Sequence, residues 1–481
     1  MQFEKVYIDG YKNLIEASIE VQSVDIPLAI IGNNGTGKSN LIEALLHIFI
    51  GLYYDNPPNF NFHIEYEAHN KNVSIIREVE GNTYIVQVDG REWSRSYFKR
   101  RIREIEQMPP FPALVFCYYS GTCDRTKNLI KKYNRSYQRK IRNQAQNLER
   151  AFVFSDIDQA EWCLLGLFAH RHKKLLDRLS LRGMDEFKIS LNAPEAYSFE
   201  KDEPFYWGTT GAIRDFIADL ENTARESYKP YSGGQFVELT DLRTYVLNTV
   251  HLEKLGSALE RRGTNLFSML QVLHSKKMLH EIAFTVIHAT SGAVYGVEGL
   301  SEGEKQLLCV IGGLKLSQQN ECLVLLDEPD THLNPIWSWE FDSLLRDSLL
   351  DVQQKSSTVI VATHDPVLIS GLKKEQVLIA SVINGRLAYE RPYRDPRGQG
   401  VANVLTSEYF GLPSSLDKYT QDLLDERLSL AYKSGKLTEE ERERHSYINK
   451  CLAELGLTVS FRDPAYAQFE KERNQVKSTK P

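Results

Sequence analysis

Long hydrophobic runs are missing from this sequence. No stretch reaches the length of about 18 consecutive apolar residues that a membrane-spanning helix needs. The opening residues, MQFEKVYIDG, lack the basic start and the apolar run of a secretion signal. These absences exclude an integral membrane protein and predict a cytoplasmic one that makes no membrane contact.

Cysteine is scarce, and positive charge is not in excess over negative charge. The six cysteines form no CxxC pair, which excludes the common zinc sites built on such pairs. Lysine and arginine number 58 against 64 aspartates and glutamates, so the net charge is −6. A chain with this balance does not coat nucleic acid by its overall charge, and any such contact must be local.

A glycine-rich loop is the strongest motif present. Residues 32–39 read GNNGTGKS, follow an apolar strand predicted over 26–31, and open a helix with an apolar stripe. In such a Walker A loop the glycines turn backbone N–H groups towards phosphate, the lysine reaches the outer phosphates, and the next hydroxyl binds Mg²⁺. The loop therefore predicts ATP and Mg²⁺ as ligands. The predicted nucleotide-binding residues are Asn33, Gly35, Gly37, Lys38, Ser39 and Asn40, and Ser39 is also a predicted metal ligand.

Two adjacent carboxylates follow a second apolar strand. The run LVLLDEP at 323–329 has the Walker B form, four apolar residues ending in two acids. Asp327, at the end of the strand, is placed to hold Mg²⁺, and Glu328 to orient the attacking water as the catalytic carboxylate. Such a strand is commonplace alone, but with a Walker A loop upstream it predicts ATP hydrolysis.

A third motif, LSEGEKQ at 300–306, precedes Walker B. It resembles the LSxGE signature of the SMC, RecF and OLD-like ATPases, which belong to the ABC-type P-loop class. Ser301, Gly303 and Glu304 open a helix whose positive end can meet an anion. Ser301 and Glu304 also fit an ordinary capping box, which is the structural alternative.

The resemblance implies further site residues. Thr363-His364-Asp365 follows the strand STVIVAT and matches the switch histidine of ABC-type ATPases, which implies that His364 contacts the γ-phosphate and takes part in catalysis. Residues 330–335 occupy the D-loop position. Gln107 is a candidate for the Q-loop glutamine. Tyr11, Lys12 and Asn13 match the first-lobe segment that approaches the nucleotide base and phosphates in this family.

Strands that alternate with helices predict an α/β fold, an ABC-type P-loop NTPase head with a mixed sheet covered by helices, a helical insertion and a helical C-terminal tail. No heptads are sustained over several turns, which disfavours the long arm of an SMC-like clamp. The predicted units are an N-terminal ATPase lobe over 1–123, a mainly helical insertion over 124–282, a C-terminal ATPase lobe over 283–400 and a helical tail over 401–481.

Partners are implied by the same resemblance. In this family the signature of one head completes the ATP site of another, so we expect a homodimer or a higher even oligomer. The signature lies too far from the Walker A loop for a transporter subunit. The chain is similar to the ATPase subunits of prokaryotic antiphage systems such as Septu, PARIS and retron-associated modules, which implies a sensor or scaffold that controls an effector, such as a separate nuclease. A RecF-like DNA-repair ATPase is the alternative, and an SMC-like clamp ranks lower.

Two basic segments with interleaved aromatic residues suit contacts to nucleic acid. The longer, from Arg125 to Arg142, contains no acid and includes Tyr133 and Tyr137. The shorter runs over residues 95–103. Such mixtures combine phosphate contacts with base stacking, but they are equally typical of solvated helix faces or of surfaces that dock a protein.

Overall fold

The chain is described here from a computed structural model. The structure describes residues 1–21, 27–81, 83–102, 109–121, 151–194, 206–228, 242–317, 321–350, 357–383, 386–433 and 437–457. It divides into two compact units, residues 1–401 and 402–481.

A seven-stranded sheet forms the centre of the first unit. Its strand order is β18-β17-β3-β16-β15-β8-β9, and every neighbouring pair is parallel except β17 and β18. The strands β3, β15 and β16 are buried along their whole length and, except for Asp327 and Thr358 at strand ends, apolar, as expected of a parallel sheet covered on both faces. The bounds are β3 (Leu28–Ile31), β8 (Leu114–Tyr119), β9 (Phe152–Ser155), β15 (Cys322–Asp327), β16 (Thr358–Ala362), β17 (Val377–Ile383) and β18 (Arg386–Glu390).

A six-stranded antiparallel sheet belongs to the same unit. Its order is β2-β1-β4-β5-β6-β7, and buried residues alternate with more accessible ones along β4 and β6, the pattern of a sheet with one face on a core. Apolar and polar residues also alternate in the sequence over 61–90, a pattern that predicts such strands. The bounds are β1 (Gln2–Asp9), β2 (Ala17–Glu20), β4 (Asn61–Ala68), β5 (Lys71–Glu78), β6 (Thr83–Val88) and β7 (Arg91–Trp93).

The described residues of the segment predicted as a mainly helical insertion, 124–282, contribute strands as well as helices. A five-stranded antiparallel sheet has the order β11-β12-β10-β13-β14, and β9 joins the seven-stranded sheet beside β8. β10 pairs with β13 across two breaks in register before residue 188, which disrupt the alternation that reveals a strand in sequence. The bounds are β10 (Leu181–Asn192), β11 (Glu226–Tyr228), β12 (Leu242–Leu247), β13 (Leu279–His288) and β14 (Val294–Gly296).

Helices of the first unit flank these sheets. The helix after the signature motif is continuous from residue 302 to 317 but contains a π turn at Leu308–Gly312, between α8 and α9. We refer to residues 302–317 as the signature helix. The bounds are α1 (Lys38–Tyr54), α2 (Arg95–Arg101), α3 (Ala160–Ala169), α4 (Lys173–Arg178), α5 (Gly211–Thr223), α6 (Thr249–Arg261), α7 (Leu266–Ser275), α8 (Glu302–Leu307), α9 (Gly313–Ser317), α10 (Pro335–Leu350) and α11 (Pro366–Ser370).

The second unit contains a helical hairpin. Helix α12 (Val401–Thr406) precedes it, and α13 (Lys418–Ala431) packs on α14 (Glu439–Glu454) through a small core of Leu423, Ile448 and Leu452. Thr438 and Glu441 form a complete capping box at the start of α14. Among the helices in the described part of the chain, none is long and apolar enough to cross a membrane.

Candidate ATP site

The Walker A loop joins the end of β3 to the start of α1. Gly35 and Gly37 have φ angles of 84° and 90°, in the left-handed region that glycine adopts at low cost. A Cβ on Gly37 would lie 2.8 Å from the Asn13 side chain, and one on Gly32 would lie 2.4 Å from the Ala380 carbonyl oxygen. The loop is therefore closed on both sides by backbone and side-chain contacts that leave no room for larger residues.

Lys38 is buried inside this loop. Its Nζ donates hydrogen bonds to the carbonyl oxygens of Gly32 at 2.7 Å and Asn33 at 3.3 Å. Burial lowers the pKa of the Lys38 ammonium, and the charges of Glu328 and Asp327 oppose that shift. The ammonium thus points into the curl of the loop, where phosphate oxygens would take the place of its carbonyl partners.

The two Walker motifs meet at Ser39. The Ser39 Oγ donates a hydrogen bond to Asp327 Oδ1 at 3.1 Å, although 288 positions separate the two residues. A hydroxyl and a carboxylate together suit Mg²⁺, which prefers oxygen ligands and completes its shell with water and substrate phosphates. Within the described ranges no group of three or more His, Cys, Asp and Glu side chains is arranged to hold a metal.

Glu328 and His364 face each other beside this pair of residues. The His364 Nε2 lies 3.5 Å from Glu328 Oε1, and both side chains are more than a third exposed. Glu328 has a φ of 49°, an unusual backbone conformation for a residue with a side chain, of the kind that clusters at active sites. Burial and then the charge of Lys38 lower the pKa of His364, and the charge of Glu328 opposes this shift. The lowered pKa keeps the imidazole neutral at pH 7.

A cavity of about 310 Å³ opens next to these two side chains. It is lined by Glu328 and His364 together with D-loop residues, among them Asp330 and Pro335. Burial raises the pKa of Asp330 to about 7, while a hydrogen bond donated by the Thr363 hydroxyl opposes the shift. Asp330 and Thr363 therefore tie the D-loop to the strand that carries His364. Sequence reasoning assigned neither residue a role.

The first-lobe segment reaches the Walker A loop through Asn13. Its Nδ2 donates to the Gly35 carbonyl at 2.9 Å, and its Oδ1 accepts a hydrogen bond from Asn40 at 2.7 Å. Lys12 forms an ion pair with Glu43 of α1. Tyr11 packs instead against Phe60, with ring centroids 4.8 Å apart. The structure thus brings Asn13 to the loop, while Lys12 and Tyr11 contact neighbouring elements.

The signature helix begins with a complete capping box. Ser301 Oγ accepts from the Glu304 backbone N–H at 3.3 Å and donates to Glu304 Oε2 at 2.8 Å, and that carboxylate also accepts from the Ser301 N–H. The structural alternative is therefore realised, and a phosphate would have to replace Glu304 as the partner of Ser301. Within the part of the chain that the structure describes, Ser301, Gly303 and Glu304 form no hydrogen bond or ion pair with the Walker A loop of the same chain.

Gln306 connects three motifs and was missed by sequence reasoning. Its side chain is fully buried; Nε2 donates to the Glu328 carbonyl at 3.1 Å and Oε1 accepts from the His332 N–H at 2.9 Å. The signature helix, Walker B and the D-loop are therefore held by one amide. The sequence did contain a signal, because Gln306 directly precedes a long apolar stretch of the helix and is therefore expected to be buried. A buried amide needs hydrogen-bond partners.

Gly303 offers a test of the close contact between the signature helix and the D-loop. A Cβ at Gly303 would lie 2.5 Å from the His332 carbonyl oxygen, so Gly303→Ala should force the signature helix off the D-loop and destabilise the first unit by about 1–3 kcal/mol. Chemical denaturation of the purified protein measures this. Gly371→Ala is the matched control, because the nearest atom to its Cβ is at an ordinary 3.5 Å. Equal stability of the two variants would contradict the close contact.

The remaining predicted positions, the Q-loop candidate and the two basic runs, lie outside the site or outside the described residues. Gln107 and the basic run Arg125–Arg142 lie outside the described residues. Of the shorter basic run, Arg95 and Lys99 both form ion pairs with Asp55, the first at 2.8 Å. Those two cations therefore stabilise the fold locally.

Comparisons with known proteins agree with this geometry. Residues 123–370, more than half of the chain, match the family described as "AAA domain, putative AbiEii toxin, Type IV TA system", and residues 5–195 match a second family described as "AAA domain". "Septu protein PtuA" of Bacillus mycoides (strain KBAB4) is 25% identical over 260 residues, which cover 50% of this chain and 35% of that protein. The chain thus aligns with about a third of that relative's length.

Two further similarities span more of the chain. "Retron Vc95 probable ATPase" of Vibrio cholerae serotype O1 biovar El Tor is 20% identical over 420 residues, 78% of this chain and 73% of that protein. A solved Smc head bound to the C-winged helix domain of ScpA superimposes with a TM-score of 0.37 at 15% identity, and the match covers 82% of this chain and 98% of that structure.

Proposed function

Because this chain belongs to the AAA-domain ATPase family matched over residues 123–370, we propose that it binds and hydrolyses Mg-ATP where Ser39 meets Asp327. The hydrogen bond between these two residues is the observation that carries the proposal. It supports the proposal because the Walker A loop and Asp327 both stand at the carboxyl ends of strands in one parallel sheet, which is where ligands bind in open α/β sheets.

Each side chain has a distinct part in hydrolysis. Lys38 neutralises the outer phosphates, and Ser39 with Asp327 would hold Mg²⁺, which would supply neutralisation of developing charge. Glu328 accepts the proton of the attacking water. His364, neutral and in reach of Glu328, donates a hydrogen bond to an oxygen of the transferred phosphoryl group. Asn13 and Gln306 hold the loop and the Walker B turn in place.

The proposal includes a site shared between two copies. Ser301 is exposed and contacts its own helix, not its own Walker A loop, so the signature is available to a second protomer. The start of the signature helix presents N–H groups to an anion. A two-fold dimer would then contain two composite sites, each with the Walker residues of one chain and the signature of its partner.

Mixing two inactive variants tests the shared site. Ser301→Arg blocks the signature and Lys38→Met blocks the Walker A loop, so a heterodimer retains one intact composite site. We expect up to about half of the parental rate per heterodimer, measured by phosphate release, since one of two symmetric sites survives. Each variant alone should be inactive.

The mixture needs its own control. Differently tagged copies purified in tandem establish that the heterodimer has formed. Inactivity of such a purified heterodimer would show that the sites are completed within one chain.

We further propose that ATP turnover controls a separate effector in antiphage defence. The similarity to the relatives named Septu protein PtuA and Retron Vc95 probable ATPase supports this role, because the sequence resemblance implies the same two systems. Co-expression with the products of adjacent genes, followed by tandem purification and nuclease assay, tests it. A co-purifying nuclease whose activity differs between parental protein and Glu328→Gln supports the role, and a chain that purifies alone in both forms contradicts it.

A further inference from the structure

A second cavity, of about 410 Å³, shares no lining residue with the ATP site. It lies among the start of α4, the far end of the signature helix and the last turns of α10. Five side chains that can carry positive charge line it: Arg171, His172, Lys173, Lys174 and Lys315. Asp347 is the one acid among the described residues that line it.

These cations lie close together, and two of them pair with acids. Lys174 forms an ion pair with Asp347, and Arg171 pairs with Glu253 at 2.9 Å. Burial lowers the pKa of Lys315, the charge of Lys174 lowers it further, and Asp347 opposes both. An added anion would offset the mutual repulsion of these ammonium groups.

Burial also acts on the histidine of this cavity. Burial and then the charge of Lys315 lower the pKa of His172 to about 4. The imidazole is therefore neutral at pH 7 and adds hydrogen-bonding capacity without charge. Together with the lysines it offers donors of two kinds to phosphate oxygens.

The rest of the cavity is apolar. Leu175, Ile311 and Leu344 form part of its wall, and each is less than a tenth exposed. The volume is in the range of about 300–1,000 Å³ that is typical of small-molecule sites. This lining suits a ligand with a multiply charged anionic end and a flat body that can lie on an apolar wall, and a nucleotide has both.

We propose that this cavity binds a nucleotide phosphate, separately from the ATP of the Walker A loop. The lysines and Arg171 contact the phosphate, and the base lies on the apolar wall. The same chemistry is offered by a free mononucleotide and by the 5′-phosphorylated end of a nucleic acid strand. Ile311 lies in the π turn, so the occupied cavity contacts the helix whose other end is Ser301.

Calorimetric titration with two probes tests the proposal. AMP represents a free nucleotide, and a 5′-phosphorylated thymidine tetranucleotide represents a strand end. At least one should bind the full-length protein, and Lys173→Ala/Lys315→Ala should raise its Kd at least about tenfold, because each lost charge-assisted contact is worth more than a neutral hydrogen bond. Binding of AMP identifies the free nucleotide as the source, and binding of the tetranucleotide alone identifies the strand end.

Three controls keep the outcome decisive. Lys254→Ala/Lys418→Ala removes the same net charge from exposed positions and should leave the Kd unchanged. Lys38→Met should also leave it unchanged, since the probe binds elsewhere. ATPase rate and thermal midpoint show that the Lys173/Lys315 variant is folded. Binding of neither probe, equal loss in the exposed-lysine control, or loss on Lys38→Met would each overturn the proposal.

Discussion

Replacing Glu328 by Gln should lower the ATP turnover number by about 10²–10⁴-fold, the range expected when a positioned proton acceptor is lost. The amide keeps the shape of the side chain but no longer accepts the proton of the attacking water. Lys38, Ser39 and Asp327 are untouched, so the affinity for Mg-ATP should stay within a few-fold of the parental value. Phosphate release at saturating ATP and equilibrium nucleotide binding measure the two quantities.

The matched control for this carboxylate is Glu439→Gln, on the exposed first turn of α14. It removes the same charge far from the Walker motifs in sequence and should turn over ATP at the parental rate. Parental turnover by Glu328→Gln, in a preparation free of other ATPases, would show that a different group accepts the proton.

Replacing Lys38 by Met should weaken Mg-ATP binding by at least about a hundredfold, because two or more charge-assisted contacts to phosphate are lost, each worth about 1.5–3 kcal/mol. Methionine retains the length and the apolar stem of lysine. The change removes the hydrogen bonds of the ammonium to its carbonyl partners, but it also removes a charge that is costly to bury. The free protein should therefore remain folded. Titration with a fluorescent ATP analogue in the presence of Mg²⁺ measures the loss.

Lys254→Met serves as the control, an exposed lysine on α6 outside both cavities. It should bind the analogue as the parental protein does. A Lys38→Met protein that kept affinity within threefold would mean that the ammonium stays with Gly32 and Asn33 when nucleotide binds, and that the loop backbone alone supplies the phosphate contacts.

The parts of the fold that sequence reasoning predicted share one property: their signal is local. The strand ending at Ile31, the glycine loop and the apolar stripe of α1 are contiguous, and the same holds for β15 with Asp327 and for the capping box at Ser301. The meeting of Ser39 with Asp327 followed from a general rule, because both stand at carboxyl ends of strands in one parallel sheet.

Features that depend on distant partners were missed. β10 finds its partners in β12 and β13, and three irregularities in its pairing with β13 hide its alternation. Gln306 is a buried amide whose meaning depends on carbonyl and N–H groups contributed by Glu328 and His332. The cavity at Lys315 likewise gathers residues from three helical segments, and no single stretch of sequence contains enough of them to indicate a site.

The π turn at Leu308–Gly312 gives the signature helix a property that a regular helix lacks. A π turn accommodates one residue more than an α-helical turn, and each helical residue rotates the chain by about 100° and advances it by about 1.5 Å. Migration of this surplus residue along the helix would rotate the side chains of the intervening segment about the helix axis, while both ends of the helix stay helical. Such a shift would change the rotational offset about the helix axis between Ser301, which is exposed, and Lys315, which lines the second cavity.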